Sequence, residues 1–349
     1  MTPHAYYNQK NHGPYEVISL GDLPLTSGDT LRDCTLAVAT FGQLNDAKDN
    51  AILIPTWYSG TSKIIQEVFV GAGRAIDPGK YFIIIVNQLG NGLSSSPHNT
   101  SGAQARARFP RVTIADDVSA QHRLLTQWYG LASLALVMGG SMGAQQAYEW
   151  AVRYPPMVMR LAAIAGTART SPINQVIADA IIHGLRADPQ FNGGDYPDSA
   201  AVSGGLAQHA RLMALHGLSA RFFEQQHYKA LGFETVAGFV EGFMMPYFAP
   251  MDPNALIIML EKWRAADAGH VCAGNLEAAL GRITAKTLVM PITQDLYFPP
   301  SACQAEARLI ANVRFQALDS PFGHLGLFGA DAQWLAQVDA ELAGLLGRP

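Results

Sequence analysis

Cysteine is scarce in this 349-residue chain, which has only Cys34, Cys272 and Cys303. These three residues are widely spaced, and no two of them form a C-x-x-C pair. A disulfide framework or a tetrahedral zinc site needs paired or clustered cysteines, so both are excluded as the basis of the fold. Separate thiols are typical of proteins from a reducing compartment. We predict neither a metal nor a cofactor for this protein.

The sequence also shows no excess of cations, no long apolar run and no signal-peptide pattern. It has 24 Lys and Arg against 28 Asp and Glu, a formal net charge of −4 at pH 7. This balance disfavours binding to nucleic acid or to an anionic membrane, because no positive charge offsets phosphate repulsion. No run approaches the ~18 apolar residues of a transmembrane helix, and the N-terminal residues contain no apolar signal-peptide core. The sequence therefore predicts a cytoplasmic enzyme for small molecules, without nucleic-acid or membrane partners.

Apolar residues are abundant, at 49% of the chain, and they follow an alternating pattern of strands and helices. Short, almost continuously apolar runs are typical of parallel strands that are covered on both faces. Their alternation with helical patterns favours an α/β fold with a mostly parallel, doubly wound sheet. The predicted strands are 31–41, 51–55, 81–87, 134–138, 161–165, 287–292 and 313–318. The predicted helices are 114–129, 145–154, one after Pro299, and 332–346.

One long segment interrupts the alternation. Residues 171–275 are helical in pattern, contain glycine-rich breaks and are rich in Met, Phe, His and Tyr. We predict that this segment is a helical cap, inserted into an α/β core formed by residues 1–170 and 276–349. A Met and aromatic cluster at 244–248 could line a pocket. Such clusters are more often core packing, so we do not assign it to the site.

The strongest chemical signal is the motif GGSMG at 139–143. It lies between a predicted buried strand and a predicted helix, which is the setting of a nucleophile elbow. In such an elbow the serine occupies a strained turn, the neighbouring positions must be small, and the hydroxyl points into the site. The alternatives are a glycine-rich packing turn or a phosphate-binding turn, but the chain has neither G-x-G-x-x-G nor a P-loop lysine. We therefore predict Ser141 as the nucleophile.

A serine nucleophile needs a base and an acid that orients it, here expected in the chain order serine, acid, histidine. Asp295 directly follows the predicted strand 287–292, and His324 follows the next strand. The long separation between Ser141 and Asp295 leaves room for a cap. The short separation between Asp295 and His324 fits one helix and one strand. Asp319 is a rival acid, but it lies near the end of the histidine's own strand and is less well placed.

The predicted roles follow from the weakness of a hydroxyl as a nucleophile at neutral pH. His324 takes the serine proton during attack and returns it to the leaving group, while Asp295 fixes the imidazole tautomer. The Met142 amide, directly after the serine, is expected to bind the oxyanion. A second amide is expected from the loop after the second predicted strand, and by position we choose Tyr58. The rings of Trp57 and Tyr58 could also simply wall the pocket.

With these motifs, the chain resembles the homoserine O-acetyltransferase family of the α/β-hydrolase superfamily. The match is dense around the elbow, where FPRVTI at 109–114 precedes GGSMGAQQAYEWAVRYP at 139–155. Similar motifs at 87–97, 251–263 (MDPNALIIMLEKW) and 295–300 (DLYFPP) extend the resemblance over nearly the whole chain. The resemblance implies an α/β-hydrolase fold, a ping-pong reaction through an acetyl-serine intermediate, and a homodimer formed through the cap.

Departures from the family pattern bear on the substrate. The family has glycine-histidine-aspartate at the catalytic histidine, and Leu325 replaces that aspartate here. A substrate ammonium group would then face an apolar side chain, an expensive loss for a partly buried cation. The family's histidine-alanine-leucine-threonine-glycine loop has become TWYSG, which places bulky aromatic side chains where small and aliphatic ones are usual. We expect Trp57, Ser59 and Leu325 to contact the substrate. Arg169, where the family has an arginine after the next strand, could bind a substrate carboxylate or brace the cap.

The leading hypothesis is a serine carboxylic-ester hydrolase that acts on short-chain acyl esters, such as acetyl esters, through an acyl-serine intermediate. The alternative is an acetyl-CoA-dependent O-acetyltransferase that passes the acetyl group to an alcohol other than homoserine. Both use the same three residues and differ in whether an alcohol outcompetes water for the acyl-enzyme. A non-catalytic binding or scaffold protein is a third interpretation, which the intact Ser–Asp–His order disfavours.

Overall fold

Eight strands form one sheet in the computed structural model, which describes residues 4–347. They are β1 (Glu16–Pro24), β2 (Thr30–Phe41), β3 (Ala51–Pro55), β4 (Phe82–Val86), β5 (Leu136–Gly140), β6 (Arg160–Ile164), β7 (Lys286–Met290) and β8 (Val313–Phe315). Their order is β1-β2-β4-β3-β5-β6-β7-β8, and every pair from β4 to β8 is parallel. Only β2 pairs antiparallel, with β1 and with β4. The predicted α/β fold with a mostly parallel, doubly wound sheet is confirmed.

Helices cover both faces of this sheet. The α-helices of the described residues are α1 (Gln9–His12), α2 (Ser62–Phe69), α3 (Ile114–Arg123), α4 (Met142–Arg153), α5 (Pro172–Arg186), α6 (Ser203–Gly217), α7 (Ala220–Glu224), α8 (Val236–Phe239), α9 (Met245–Phe248), α10 (Pro253–Arg264), α11 (Leu276–Leu280), α12 (Pro300–Ala307) and α13 (Ala332–Leu345). Of these, α2 and α13 lie on one face of the sheet, and α3 and α4 lie on the other. Within residues 4–347, none of them is long and apolar enough to cross a membrane.

The two-sided cover explains why the central strands are apolar without alternation. In β3, Ile52 and Ile54 belong to the apolar layer that contains residues of α2 and α13. Leu53 points to the other face and joins the larger layer with residues of α3 and α4. All five residues of β3 are buried, so each side chain loses contact with water whichever face it takes.

The segment between β6 and β7 is helical, and we keep the name cap for residues 171–275. One buried ion pair joins it to the rest of the chain. Nζ of Lys262, on α10, lies 2.6 Å from Oδ2 of Asp117 on α3 and donates to the Leu89 carbonyl at 2.8 Å. The two charged side chains are 0% and 1% exposed. The exact division into core and cap remains a prediction.

The structure corrects the predicted elements in three places. The strand β1 has no counterpart in the prediction; it is an edge strand, and the predicted strand 31–41, which is β2, lies inside the sheet. The predicted helix 114–129 ends as α3 at Arg123, and residues 124–128 continue as a π-helical turn. The helix after the GGSMG motif begins at Met142 and not at Gln145, so it starts directly behind Ser141.

Candidate active site

Ser141 lies in a strained turn between β5 and α4. Its backbone has φ 54° and ψ −125°, in a region that costs a non-glycine residue about 1–3 kcal/mol. A methyl group on Gly139 would lie 2.1 Å from the Gly143 carbonyl carbon, and one on Gly143 would lie 2.6 Å from the Pro55 oxygen. Gly139 and Gly143 are therefore required by space. The turn leaves the Ser141 side chain at the wall of a cavity.

The three predicted catalytic side chains lie together. Oγ of Ser141 lies 2.9 Å from Nε2 of His324, and Nδ1 of His324 lies 2.7 Å from Oδ2 of Asp295. All three residues are at least nine-tenths buried. The backbone N–H groups of Tyr297 and Phe298 donate to the other oxygen, Oδ1 of Asp295, at 2.8 and 3.0 Å. The carboxylate is thus fixed with one oxygen free for the imidazole.

Two aromatic rings orient the imidazole of His324. The Tyr297 ring meets it edge-on, with centroids 5.0 Å apart and an interplanar angle of 88°. The Phe298 ring lies 5.5 Å away at 36°. Both rings follow Asp295 directly in the sequence, so one short loop supplies the acid and the packing for the base. This arrangement permits proton transfer from a hydroxyl to an imidazole whose tautomer is set by a carboxylate.

The rival acid, Asp319, lies elsewhere. Its carboxylate accepts hydrogen bonds from the Thr293 hydroxyl and, at 2.6 Å, from the guanidinium of Arg221. The hydrogen bond from Thr293, followed by the one from Arg221, lowers the pKa of Asp319. Its side chain is 57% exposed, which suits a surface ion pair and not the support of a buried imidazole. Asp295 is therefore the acid that contacts His324.

The two predicted oxyanion-binding amides lie in segments that meet at the elbow. Met142 is the first residue of α4, and the Ser141 side chain does not cap this helix end. The first N–H groups of a helix have no partner inside the helix and carry its positive dipole end. Tyr58 belongs to residues 56–60, which we call the oxyanion loop, and it lines the same cavity as Ser141. A methyl group on Gly143 would touch this loop as well, 3.2 Å from the Thr56 oxygen.

A cavity of about 290 Å³ opens in front of Ser141. Three of the predicted substrate-binding residues line it, namely Trp57, Ser59 and Leu325. Its lining is mostly apolar and includes six phenylalanines, which are Phe222, Phe239, Phe243, Phe248, Phe322 and Phe328. Such a cavity accepts small, weakly polar groups and offers few hydrogen bonds to a polar substrate.

Arg169, the fourth predicted substrate-binding residue, does not line this cavity. Its Nε donates to Oδ1 of Asp267 at 2.8 Å, and another guanidinium nitrogen donates to the Gly274 carbonyl at 2.6 Å. Because these contacts engage the guanidinium within the segment 267–274, it is not directed at Ser141. These contacts are those of a brace for the cap, the second of the two roles predicted for Arg169, and its role in substrate binding stays a prediction.

Sequence reasoning missed several residues that the structure brings to the site. Met244, Tyr247 and Phe248 line the cavity, although the cluster at 244–248 was left out of the predicted site because core packing is the commoner role of such clusters. His209 was not considered, yet it contacts the hydroxyl of Tyr58. The Met and aromatic composition was a usable signal for the first three. No local signal existed for His209, because its partner lies 151 residues away.

Metal ligation has no candidate in the part of the chain that the structure describes. Within residues 4–347, no group of three or more His, Cys, Asp or Glu side chains is arranged to hold a metal ion. Cys34 and Cys303 are buried and Cys272 is half-buried, and all three are free thiols.

The family model described as alpha/beta hydrolase fold matches residues 52–331. The ethyl acetate hydrolase of Pseudomonas veronii is 55% identical to this chain over 345 residues, which covers 99% of both proteins. The crystal structure of an acetylester hydrolase from Corynebacterium glutamicum superimposes with a TM-score of 0.98 at 44% identity, covering 99% of this chain and 100% of that one.

The homoserine O-acetyltransferase of Thermobifida fusca is 30% identical over 333 residues, which covers 87% of both proteins. The resemblance to homoserine O-acetyltransferases that the motifs predict is thereby confirmed. The two ester hydrolases are nevertheless more similar to this chain than that acetyltransferase is.

Proposed function

This chain belongs to the α/β-hydrolase family, and on that premise we propose that it is a serine carboxylic-ester hydrolase for short-chain acyl esters. The observation that carries the proposal is the continuous chain of contacts from Ser141 to His324 to Asp295, at 2.9 and 2.7 Å. The named activities of the ethyl acetate hydrolase and the acetylester hydrolase support the choice of ester hydrolysis and of acetyl as the acyl group.

In the proposed mechanism, Oγ of Ser141 attacks the ester carbonyl carbon while its proton passes to Nε2 of His324. Asp295 stabilises the resulting imidazolium and holds its Nδ1–H. The amides of Met142 and Tyr58 stabilise the negative oxygen of the tetrahedral intermediate. The ester C–O bond then breaks, and the imidazolium gives its proton to the leaving alcohol. Water repeats the sequence on the acyl-serine and releases the carboxylic acid.

The apolar cavity supports an apolar alcohol portion. Leu325 lies beside His324 in its wall, where the homoserine enzymes have an aspartate. A buried ammonium group without a carboxylate partner loses its hydration without compensation. We therefore propose simple alkyl esters as substrates and not esters of amino acids.

The alternative is an acetyl-CoA-dependent O-acetyltransferase, favoured by the 30% identity to a homoserine O-acetyltransferase. The two functions share the acyl-serine and differ only in the acceptor.

We also propose, as the sequence predicts, that residues 1–170 and 276–349 form the core and that residues 171–275 form the cap. We propose in addition that the protein is a homodimer that forms through this cap. Gel filtration with light scattering tests the dimer.

The decisive experiment supplies purified protein with p-nitrophenyl acetate and with ethyl acetate, each with and without a primary alcohol, and separately with acetyl-CoA. The proposal expects hydrolysis of both esters without any acceptor and no release of free CoA. Release of CoA that depends on the added alcohol would instead establish the acetyltransferase. Ser141→Ala is the control in every arm, since both functions need this hydroxyl.

A further inference from the structure

A buried hydrogen bond joins the oxyanion loop to the cap. Oη of Tyr58 lies 2.8 Å from Nε2 of His209 on α6, and the two rings stack with centroids 5.9 Å apart at 27°. His209 is 0% exposed, and the Phe248 ring packs edge-on against it at 4.3 Å. His209 does not line the cavity, and among residues 4–347 its side-chain hydrogen bond to a residue of the lining is the one with Tyr58.

The start of the oxyanion loop is held by the core. The Thr56 hydroxyl accepts a hydrogen bond from the backbone N–H of Gln88 at 3.2 Å. The Thr56 carbonyl accepts one from the side-chain amide of Gln146 at 3.3 Å and another from that of Gln88. These bonds fix the loop where it leaves β3.

Two residues further on, the contacts come from the cap. Tyr58 is bonded to His209, and its hydroxyl also donates to the Leu256 carbonyl at 3.4 Å. The hydroxyl of Tyr247 donates to the Ser59 carbonyl at 3.2 Å. The peptide that carries the Tyr58 amide therefore lies between a support from the core and a support from the cap.

Both partners of the Tyr58–His209 bond are uncharged. Burial lowers the pKa of His209 to about 3, and burial raises the pKa of the Tyr58 hydroxyl well above its ordinary value. Nδ1 of His209 is buried without a partner among residues 4–347, which is a cost that an apolar side chain would not have. The imidazole is thus no proton carrier for the reaction, and its one polar contact is with Tyr58 and the loop.

We infer that His209 is a positioning residue, which holds Tyr58 so that its backbone amide faces the oxyanion. The inference rests on the proposed ester hydrolysis and gives His209, a residue of the cap, a part in that reaction. Loss of an oxyanion donor costs about 10²–10³-fold in kcat, and a misplacement of ~1 Å costs about 10²-fold. Because a loosened donor is still present, we expect a loss of about 10- to 100-fold when the bond is removed.

The test compares Tyr58→Phe, His209→Leu and the double variant with the wild-type enzyme on p-nitrophenyl acetate. Each single change is expected to lower kcat by about 10- to 100-fold with KM changed less than about threefold. The double variant is expected to be no slower than the slower single variant, because both changes remove the same bond. His209→Gln, which keeps a hydrogen-bonding group, is expected to recover a substantial part of kcat.

A second readout reports the oxyanion directly. A trifluoromethyl ketone forms a tetrahedral adduct with an active serine, and its inhibition constant is expected to rise in parallel with the loss of kcat/KM. A merely structural role of His209 would not couple these two quantities. Gln208→Leu, an exposed change one residue away on α6, is the matched control and is expected to leave both unchanged.

Several outcomes would overturn the inference. They are a kcat within about threefold of wild type in Tyr58→Phe, effects that multiply in the double variant, or a loss confined to KM. If His209→Leu does not fold, Tyr58→Phe still decides, since it removes one oxygen atom and no packing. The proposed function fails separately, if the wild-type protein does not hydrolyse the ester or Ser141→Ala does.

Discussion

The core wall and the cap wall of the cavity are built in different ways. The core wall, by which we mean residues 57–59, Ser141 and His324–Leu325, comes from segments that lie beyond the carboxyl ends of strands β3, β5 and β8. The cap wall comes from residues 213–248, which form short helices and connections. Every group with a proposed part in bond breaking lies in the core, and the cap wall is largely apolar. The proposed reacting groups are therefore confined to the core, whereas the cap wall contributes mainly apolar surface to the cavity.

The physical basis of this difference is anchoring. A side chain one or two residues beyond a parallel strand inherits the rigidity of the sheet, which is what a reacting group needs. The cap wall contributes surface and excludes water, and small shifts of its rings cost little. Buried polar contacts tie the cap to the core, among them Lys262–Asp117 and His209–Tyr58. Substitutions in the core, at the contacts between core and cap, and in the cap wall test this difference.

The largest loss of activity is expected for substitutions of the predicted catalytic residues in the core. Ser141→Ala is expected to lower kcat on p-nitrophenyl acetate by about 10⁴–10⁶-fold, because the nucleophile is lost. Asp295→Asn is expected to lower it by about 10⁴-fold, because the amide no longer fixes the imidazole tautomer. Unfolding curves in urea control for stability. Full activity in Ser141→Ala would show that the reaction does not use this serine.

The free energy of unfolding is expected to depend strongly on the buried ion pair Lys262–Asp117, which joins the cap to the core. Lys262→Met leaves Asp117 buried without its cation and is expected to lower the free energy of unfolding by about 3–5 kcal/mol. The double change Lys262→Met with Asp117→Leu removes both charges and is expected to recover most of that loss. Urea unfolding measures both variants. If the double variant is no more stable than the single one, an uncompensated charge is not the cause.

A buried carboxyl group in the core, close to where the cap begins, is expected to make stability depend on pH. Glu306, on α12, accepts hydrogen bonds from the backbone N–H groups of Ala168 and Arg169, where the chain passes from β6 towards the cap. Burial raises the pKa of Glu306 from 4.5 to about 7. Between these values the folded state keeps a proton that the unfolded state has lost, so this contribution is complete below pH 4.5 and disappears as pH rises through 7.

The expected size is a fall of about 2–3 kcal/mol in the free energy of unfolding between pH 5 and pH 8. Glu306→Gln removes the titration, so the difference between wild type and variant isolates this group. Urea unfolding at pH 5, 6, 7 and 8 provides the measurement. A difference that does not vary with pH would assign the slope to other groups.

The smallest effect is expected on the cap wall, and it concerns selectivity. Phe243 lines the cavity and is 44% exposed, so Phe243→Ala enlarges the cavity at little cost to folding. We expect the ratio of kcat/KM for p-nitrophenyl butyrate over acetate to rise by about tenfold. Val236→Ala, an exposed change outside the cavity lining, is the matched control. A tenfold loss of kcat on p-nitrophenyl acetate in Phe243→Ala would contradict the assignment of the reaction to the core alone.

Prediction from sequence succeeded where the signal is local. The strand 51–55 was predicted with the bounds that the structure has, because five consecutive buried apolar residues have one simple explanation. It failed for β1, where register shifts around Gly21 break the alternation that marks a strand. The cap helices were recognised as a class, but their inward faces were not, since Phe248 and its neighbours serve the core and the cavity at once.

The sequence by itself determined the fold class, the elbow at Ser141 and the strand-end positions of Asp295 and His324. These depend on short patterns whose steric demands are met within a few residues of the chain. Only the tertiary structure decided that Asp295 and not Asp319 meets His324, that Arg169 turns to Asp267, and that His209 reaches Tyr58. Such contacts join residues far apart in the chain, and their geometry is set by how the sheet, helices and cap pack together.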